Sequence, residues 1–198
     1  EYGLENIKFI EMDILKIKKL KQRFELIECS GVLHHMEHPT VGLSNLLGVL
    51  QPKGYMKLGL YSKYAREMVT RIRELINKEG IASTKDGIRK FRSEVLNSNL
   101  KDFNDISLSS DFYSMSMCRD LCFHSHEKCY CINEIKELLA LFNLEFLGFI
   151  LPKDVKDKYK QQYNNDISLK DLSNWGNFEE ENKGIFRDMY QFWVKKVN

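Results

Sequence analysis

The hydrophobic and polar positions in the first third of the chain predict three strands and one helix. Residues 6–12 alternate between apolar and polar and end at Asp13, which predicts a strand that runs into a loop. A short apolar run at 24–31 and another at 55–61 predict two further strands. Leucines at helical spacing over 39–50 predict an amphipathic helix between them. This order is typical of an α/β fold in which crossovers join parallel strands.

The rest of the chain has the apolar spacing of helices, followed by strong strand patterns near its end. The predicted elements are helices at 63–78, 84–97, 111–124, 134–142, 154–163, 168–175 and 182–188, and strands at 144–151 and 189–194. The first three helices precede the next strand without an intervening sheet element, so we expect them to form an inserted layer. We therefore predict a single domain over residues 1–198, with a helical insertion at about 63–130.

Composition narrows the class of protein without identifying a function. The chain has 198 residues, of which 43% are hydrophobic, so one substantial buried core is expected. Thirty basic against 28 acidic side chains leave a net charge of +2, which provides no strong field for nucleic acid or an anionic membrane. No apolar stretch approaches the ~20 residues of a membrane span, and five cysteines suit a reducing compartment. We therefore expect a cytoplasmic protein that binds neither nucleic acid nor membranes.

Two adjoining segments resemble the centre of class I S-adenosylmethionine-dependent methyltransferases. One is the run from Phe24 to Pro39, which contains Val-Leu-His-His at 32–35, and the other is Leu-Gln-Pro-Lys-Gly at 50–54. Their spacing and order match the pattern of that family, in which a strand, this histidine motif, a leucine-rich helix and a Pro-Gly-Gly turn follow one another. The chain departs from the family pattern at Glu25, His38 and Lys53.

Later segments resemble one bacterial branch of these enzymes. The matching residues are Asp111-Phe-Tyr-Ser, Cys118-Arg-Asp-Leu-Cys-Phe-His, Trp175 and Met189-Tyr-Gln-Phe-Trp. In this branch the methyltransferase domain is often joined to tetratricopeptide repeats or to other upstream sequence. The resemblance implies an α/β, Rossmann-like methyltransferase sheet that is mostly parallel with an antiparallel closing strand. It also implies S-adenosylmethionine as the cofactor.

The resemblance further implies that part of the domain precedes residue 1. The family's first strands, its glycine loop and the acidic residue that binds the ribose would all lie upstream of Glu1. We expect a missing N-terminal segment, with or without tetratricopeptide repeats, as the partner of this region. We also expect the chain by itself to be inactive and to show no sub-millimolar binding of S-adenosylmethionine.

The residues expected to hold the cofactor follow the first two predicted strands. They are Asp13, Ile14, Ser30, Gly31 and Val32. The resemblance places the Asp13 carboxylate against the adenine amino group, and Gly31 permits close backbone approach to the methionine moiety. As an alternative, Asp13 only caps a loop, and Ser30 with Gly31 forms a plain strand-to-helix turn.

Polar residues near the predicted strand ends and in the helical insertion are candidates for catalysis and for binding a small-molecule acceptor. The candidate catalytic residues are His34, His35, His124 and Glu127, and the candidate acceptor-binding residues are Tyr61, Arg66, Arg119 and Asp120. A histidine or a carboxylate could take a proton from a hydroxyl or amine acceptor. Methyl transfer also proceeds by alignment alone, because the sulfonium is already activated. The histidines could therefore simply line the pocket or cap a helix, and the polar residues at 119–127 could equally form a structural network.

Thiols and imidazoles are concentrated between residues 118 and 131, which raises a second hypothesis. They are Cys118, Cys122, His124, His126, Cys129 and Cys131. Thiolates and imidazoles are zinc ligands, so these residues could stabilise an interaction module instead of an enzyme. Their spacing lacks paired Cys-x-x-Cys knuckles, and we therefore predict no metal. The alternative function is a catalytically inactive or zinc-stabilised interaction domain.

Overall fold

The structure of the protein is a computed structural model that describes residues 6–98, 100–124, 126–187 and 189–198. Within these ranges the strands are β1 Phe24–Ser30, β2 Leu50–Tyr61, β3 Leu144–Phe149 and β4 Met189–Lys196. The α-helices are α1 Pro39–Val49, α2 Glu67–Lys78, α3 Lys85–Leu96, α4 Lys101–Ser107, α5 Met115–Phe123, α6 Ile132–Leu141, α7 Lys153–Gln162 and α8 Leu172–Glu181. Short 3-10 helices cover Ile14–Leu20, Leu33–His35 and Ser110–Tyr113.

The strands form one mixed sheet in the order β1, β2, β4, β3. β1 and β2 are parallel, and β4 lies antiparallel between β2 and β3. Three strands therefore run in one direction, and the antiparallel closing strand is confirmed. The prediction of a mostly parallel sheet is wrong for neighbouring pairs, because the insertion of β4 makes two of the three pairs antiparallel. β4 occupies this central place because Tyr190, Phe192 and Val194 alternate along it and are fully buried.

The segment before β1 is not a strand, so that prediction is wrong. Residues 7–13 form no ladder, and Phe9 is 94% exposed. Alternation reports which side chains face a core, but a strand also needs a neighbour for its N–H and C=O groups. In the part of the chain that the structure describes, no strand pairs with this segment. The chain instead enters the helix Ile14–Leu20, which Asp13 caps by accepting a hydrogen bond from the amide of Leu15 at 2.9 Å.

The helices α2 to α5 form a layer with a buried cluster of its own. This cluster includes Ile72, Phe91, Phe112 and Cys118, and it is distinct from the larger cluster around the sheet. None of the helices in the described ranges has the length and the apolar run needed to cross a membrane. The helical layer comes after β2 in the chain. Because β1 and β2 are parallel, it begins at the carboxyl ends of these two strands.

The last third of the chain differs from the predicted helix boundaries. α8 begins at Leu172 instead of near residue 168, because the Asp171 side chain accepts hydrogen bonds from the amides of Ser173 and Asn174. The helix predicted at 182–188 is wrong for residues 182–187, which form turns, and residue 188 lies outside the described residues. Apolar side chains in these turns pack on the sheet, and this packing gave the sequence its helix-like spacing.

Candidate functional site

A cavity of about 410 Å³ opens at the carboxyl end of β1. Its lining includes Asp13, Ile14, Ser30 and Val32, which are four of the five residues expected to bind the cofactor. The fifth, Gly31, lies between two of them in the chain. These residues meet because β1 ends at Ser30 while the helix that Asp13 caps packs on α1. The volume is in the range typical of small-molecule sites.

The turn after β1 depends on a glycine. Gly31 has a φ of 76°, a left-handed conformation that other residues rarely adopt, and a Cβ atom there would face open space. The amide of Gly31 donates a hydrogen bond to the carbonyl oxygen of Gly59 on β2 at 3.4 Å. The backbone is thus fixed to the sheet on one side and open to the close approach of a ligand on the other.

Three buried polar atoms lack a hydrogen-bond partner among the described residues, and all three lie at or just after the carboxyl end of β1. They are Ser30 Oγ, His34 Nε2 and His35 Nδ1. Leaving a buried polar group without a hydrogen-bond partner costs about 1–3 kcal/mol, so such atoms are rare in folded proteins and need an explanation. Their concentration within residues 30–35 indicates a place where a ligand supplies the missing partners.

His34 accepts a hydrogen bond at Nδ1, and its buried Nε2 atom has no partner among the described residues. The ring is fully buried and stacks on Tyr61, with the ring centroids 3.7 Å apart. Its Nδ1 atom accepts a hydrogen bond from the amide of Tyr61 at 3.2 Å. Burial, and then the charge of His35, lower the pKa of His34 to about 4. The ring is therefore neutral at pH 7 with its proton on Nε2, and a catalytic role of His34 stays a prediction.

The tautomer of His34 can be measured directly. In long-range 1H–15N spectra of the chain at pH 7, we expect a neutral His34 ring with the proton on Nε2. Because its pKa is about 4, the ring should stay neutral as the pH falls to roughly 5. A His34→Gln variant assigns the resonances. Protonation of this ring near its ordinary pKa of 6.5 would contradict the buried, Tyr61-bonded geometry.

His35 is placed to accept a proton. Its ring is hydrogen-bonded to the backbone of His126, and Nδ1 is the ring nitrogen without a partner in the described residues. Burial, and then the charge of His124, lower the pKa of His35. The ring is therefore neutral at pH 7 with a free lone pair on Nδ1. Of the two histidines in the motif, His35 is the one with the properties of a base.

Two arginines hold the carboxylate of Glu127 beside these rings. Arg66 donates from Nε and Nη2 to the two carboxylate oxygens at 3.2 and 2.9 Å, and Arg73 Nη2 lies 2.8 Å from Oε2. The side chains of Glu127, Arg66 and Arg73 are only 4%, 7% and 13% exposed. The Arg66 guanidinium also lies over Tyr61, 4.1 Å from the ring centroid. Glu127 thereby fixes Arg66 over Tyr61, and Tyr61 in turn holds His34.

Glu127 is not free to act as a base. Burial alone would raise the pKa of its carboxyl group, but the hydrogen bonds and charges of Arg66 and Arg73 outweigh burial and lower it. The group is thus an ionised carboxylate, and both of its oxygens already accept hydrogen bonds. This geometry is that of a group that holds Arg66 and Arg73 in position, and a catalytic role of Glu127 stays a prediction.

The remaining candidates lie at the edge of the site. The His124 ring is 4.3 Å from the His35 ring between centroids, and its Nε2 atom lies 4.0 Å from a carboxylate oxygen of Asp120. The backbone carbonyl of Asp120 accepts a hydrogen bond from Arg73 at 3.1 Å. Arg119 is exposed on α5, and no contact joins it to the other site residues that the structure describes. Arg119 is therefore not brought to the site.

Sequence reasoning missed Arg73, although a signal for it exists. Arg73 follows Arg66 by seven residues, a spacing that returns an α-helix to the same face after two turns. Arg73 lies on α2 and Arg66 is the residue directly before its first turn, and both side chains reach Glu127. The helical period could therefore have identified the second arginine once the first had been selected.

A second buried carboxylate lies behind the site and was also missed. Glu179 of α8 is 1% exposed and accepts hydrogen bonds from Ser62 at 3.2 Å and from Tyr190 at 2.9 and 2.8 Å. Burial raises the pKa of Glu179 to about 7, against the opposing effect of these hydrogen bonds. Ser62 directly follows Tyr61, so this network secures the end of β2 next to the site.

The cysteines form no metal centre in the part of the chain that the structure describes. No three His, Cys, Asp or Glu side chains are arranged there to hold a metal ion. Cys118 and Cys122 are buried in the helical layer, whereas the Cys129 thiol donates to Glu127 at 3.7 Å and Cys131 caps α6. The zinc hypothesis therefore finds no ligand set among these residues.

Comparison with solved structures finds the same fold in PKMT2 from Rickettsia typhi. That structure has a TM-score of 0.62 at 18% sequence identity, and the match covers 92% of this chain and 37% of PKMT2. A structure of the same protein in complex with AdoHcy has a TM-score of 0.62 at 17% identity, over 94% of this chain and 38% of that one. At these identities the likeness shows a common fold alone.

Sequence comparison finds a more modest match. No family model matches the chain. The uncharacterized protein syc1184_c of Synechococcus sp. is 27% identical over 157 residues, which cover 73% of this chain and 36% of that protein. This chain therefore spans little more than a third of the length of each of these proteins. Its mixed α/β fold is similar to that of PKMT2.

Proposed function

We propose that this chain is the C-terminal part of an S-adenosylmethionine-dependent methyltransferase that acts on a small-molecule acceptor. The observation that carries the proposal is the group of three unpaired polar atoms at residues 30–35, next to the cavity at the end of β1. The fold is similar to that of PKMT2, one of whose structures holds AdoHcy, the product left when S-adenosylmethionine has given up its methyl group. The Val-Leu-His-His motif at 32–35 supports the same function.

The residues of this cavity fit the proposed cofactor. Asp13 uses Oδ1 to cap a helix, and its second oxygen has no bond partner among the described residues, so Oδ2 is available to an adenine amino group. Ile14 and Val32 would supply apolar walls for the adenine ring. The buried Ser30 hydroxyl would gain a partner from a polar group of the ligand, and Gly31 would leave room for its methionine moiety. The Asp13 carboxylate can therefore cap the helix with one oxygen and bind the cofactor with the other.

The chain's own residues align the acceptor and remove its proton. S-adenosylmethionine, when bound, supplies a methyl group that its sulfonium already activates. The Nε2–H group of His34 donates to the acceptor and orients it, while His35 Nδ1 takes the proton that the acceptor atom loses. Arg66 and Tyr61 form a stacked wall that limits the entry of water. No metal is required for these roles.

The cofactor assignment is tested by binding of S-adenosylhomocysteine, the stable product, to the chain and to an Asp13→Asn variant. Asparagine keeps an oxygen that caps the helix but removes the carboxylate. In saturation-transfer NMR we expect weak signals from the adenine protons of the ligand. We expect Asp13→Asn to weaken binding about tenfold, because a hydrogen bond to a charged group contributes roughly 1.5–3 kcal/mol.

The matched control is Asp171→Asn, which changes the N-cap of α8 far along the chain from this cavity. It should leave the adenine signals unchanged. Equal binding by the Asp13→Asn variant and the unaltered chain would overturn the cofactor assignment. Complete absence of ligand signal at millimolar concentrations would favour the alternative of an inactive interaction domain.

A further inference from the structure

A second cavity, of about 240 Å³, lies at the same edge of the sheet as the candidate site. Three parts of the chain form it: the loop 150–152 that follows β3, the turn 185–187 and the first residues of β4. Since β3 runs in the same direction as β1 and β2, its carboxyl end lies at the same edge as theirs. Most of the lining is apolar, including Leu151, Ile185 and Met189, and the polar members are Arg187 and Gln191.

Met189 joins this cavity to the candidate site. It pairs with Tyr61 across β2 and β4, so the two side chains lie on one face of the sheet with their Cβ atoms about 5 Å apart. Tyr61 in turn stacks on His34. On the same face, a Cβ atom at Gly59 would lie 3.0 Å from Met189 Sδ and 2.8 Å from Ser30 Oγ. Met189 therefore lies between the second cavity and two residues of the candidate site, Tyr61 and Ser30.

Arg187 is the only ionisable side chain in the lining of this cavity, among the residues that the structure describes. It is exposed, and no hydrogen bond or ion pair joins it to another described residue. Its guanidinium is therefore free to bind an anion, and its planar fork of N–H groups matches the two oxygens of a carboxylate. The apolar walls beside it suit the hydrocarbon part of the same molecule.

We propose that this cavity binds a small carboxylic acid with an apolar frame, and that this acid is the methyl acceptor. Its carboxylate pairs with Arg187, and its frame packs on Ile185 and Met189. The far end of the molecule extends past Met189 to Tyr61 and the two histidines of the motif. There the nucleophilic atom bonds to the methyl carbon, its proton goes to His35 Nδ1, and the sulfonium leaves as a neutral thioether. The acceptor role rests on the proposed function, whereas binding of the acid does not.

Binding is tested with 3-phenylpropionate and 3-phenylpropionamide on the full chain without cofactor. The two probes have nearly the same shape, but only the first is charged. NMR of the chain with 13C-labelled methionine methyl groups reports binding at Met189, whose resonance a Met189→Leu variant assigns. We expect 3-phenylpropionate to shift this resonance and to bind about threefold more tightly than the amide, because only the carboxylate pairs with Arg187 and exposed ion pairs are weak. An unchanged Met189 resonance, or equal affinity for the two probes, would overturn the inference.

A substitution at Arg187 shows which charge holds the probe. Arg187 is exposed, so Arg187→Gln removes the guanidinium without disturbing the core. We expect this variant to lose about threefold in affinity for 3-phenylpropionate and to keep its affinity for the amide. The matched control is Arg89→Gln on α3, where the arginine side chain is 67% exposed and does not line the cavity. Equal effects of the two variants would reject the cavity as the site of the acid.

The acceptor role is tested separately with 3-(4-hydroxyphenyl)propionate, whose hydroxyl lies opposite its carboxylate. With S-adenosylhomocysteine also bound, we expect nuclear Overhauser effects between the ring protons next to the hydroxyl and the methylene protons next to the sulfur. Their absence while both molecules bind would reject the acceptor role. Arg187-dependent binding of the acid without any S-adenosylhomocysteine binding would reject the methyltransferase proposal and keep the acid site. Normal S-adenosylhomocysteine binding without a response at Met189 would reject the acid site alone.

Discussion

Replacement of Glu127 by glutamine is expected to lower the free energy of unfolding by about 3 kcal/mol, because it leaves Arg66 and Arg73 buried without a counter-ion. Glutamine keeps the shape of the side chain and one acceptor oxygen, so the change removes the charge and little else. Urea unfolding at pH 7, followed by circular dichroism, measures the difference. The loss is large for a single polar substitution, since most such changes cost much less.

The control for this prediction is Glu145→Gln, which breaks the ion pair of Glu145 with Lys170. Both of these side chains are substantially exposed, at 48% and 39%, and the charges are 3.1 Å apart. We expect a change of about 0.5 kcal/mol or less, because water screens exposed pairs. A similarly small change for Glu127→Gln would contradict a buried, tightly paired cluster.

The same substitution should reach His34 through a chain of contacts. Glu127 holds Arg66, Arg66 lies over Tyr61, and Tyr61 both stacks on His34 and donates to its Nδ1 atom. When Arg66 is held less firmly, Tyr61 is held less firmly too. The hydrogen bond from the Tyr61 amide then fixes the His34 tautomer less strictly. A second, minor tautomer of His34 in the variant would show that Glu127 acts through position instead of proton transfer.

Most of the sheet could be predicted from the sequence, because its strands carry their signal in their own side chains. In β4, Tyr190, Phe192 and Val194 alternate with partly exposed residues, and this pattern alone identifies a strand with one buried face. The place of β4 between β2 and β3 could not be predicted in the same way. Order and direction depend on which strands pair, and pairing is decided by residues far apart in the chain.

The strand predicted at 6–12 also shows that a hydrophobic pattern does not determine strand pairing. Ile7, Phe9 and Ile10 have a strand pattern, but in the structure they are exposed and have no neighbouring strand among the described residues. A hydrophobic pattern records what a segment is able to bury, whereas the hydrogen-bond ladder requires a partner. Residues 6–12 therefore have the hydrophobic pattern of a strand but do not form one.

In the candidate site as well, features within one local motif could be predicted from the sequence, whereas contacts between distant residues could not. Ser30, Gly31, His34 and His35 belong to one local motif, so their common location followed from the sequence. The different roles of His34 and His35 could not be predicted from the sequence. They depend on the amide of Tyr61, which is 27 residues away from His34. Contacts across long separations, such as the 117 residues between Ser62 and Glu179, leave no periodic signal in either segment.

The second large effect concerns the pH dependence of stability and the carboxyl group of Glu179. Burial raises its pKa from an ordinary value of 4.5 to about 7. Between these two pH values the folded chain binds more protons at this group than the unfolded chain does. The free energy of unfolding contributed by Glu179 is therefore complete below pH 4.5 and is lost as the pH rises through 7. The total loss is about 3 kcal/mol, since one pKa unit corresponds to about 1.4 kcal/mol.

His34 acts in the opposite direction, so the comparison must be made between variants. Burial lowers the pKa of His34 from 6.5 to about 4, and its contribution to stability therefore rises with pH over that interval. In the unaltered chain the two effects partly cancel between pH 4.5 and 6.5. A single stability curve would hide both of them, whereas a difference between two variants isolates one.

Glu179→Gln should remove the loss of stability that accompanies ionisation. Glutamine retains an oxygen that accepts from Ser62 or Tyr190, and it cannot ionise in the buried position. We expect the variant to gain about 2 kcal/mol on the unaltered chain between pH 5 and pH 8, measured by urea unfolding. The control Glu137→Gln, at an exposed position on α6, should show a flat difference over the same range. A flat difference for Glu179→Gln as well would mean that its carboxyl group titrates normally, and that the network joining Ser62, Glu179 and Tyr190 is open to water.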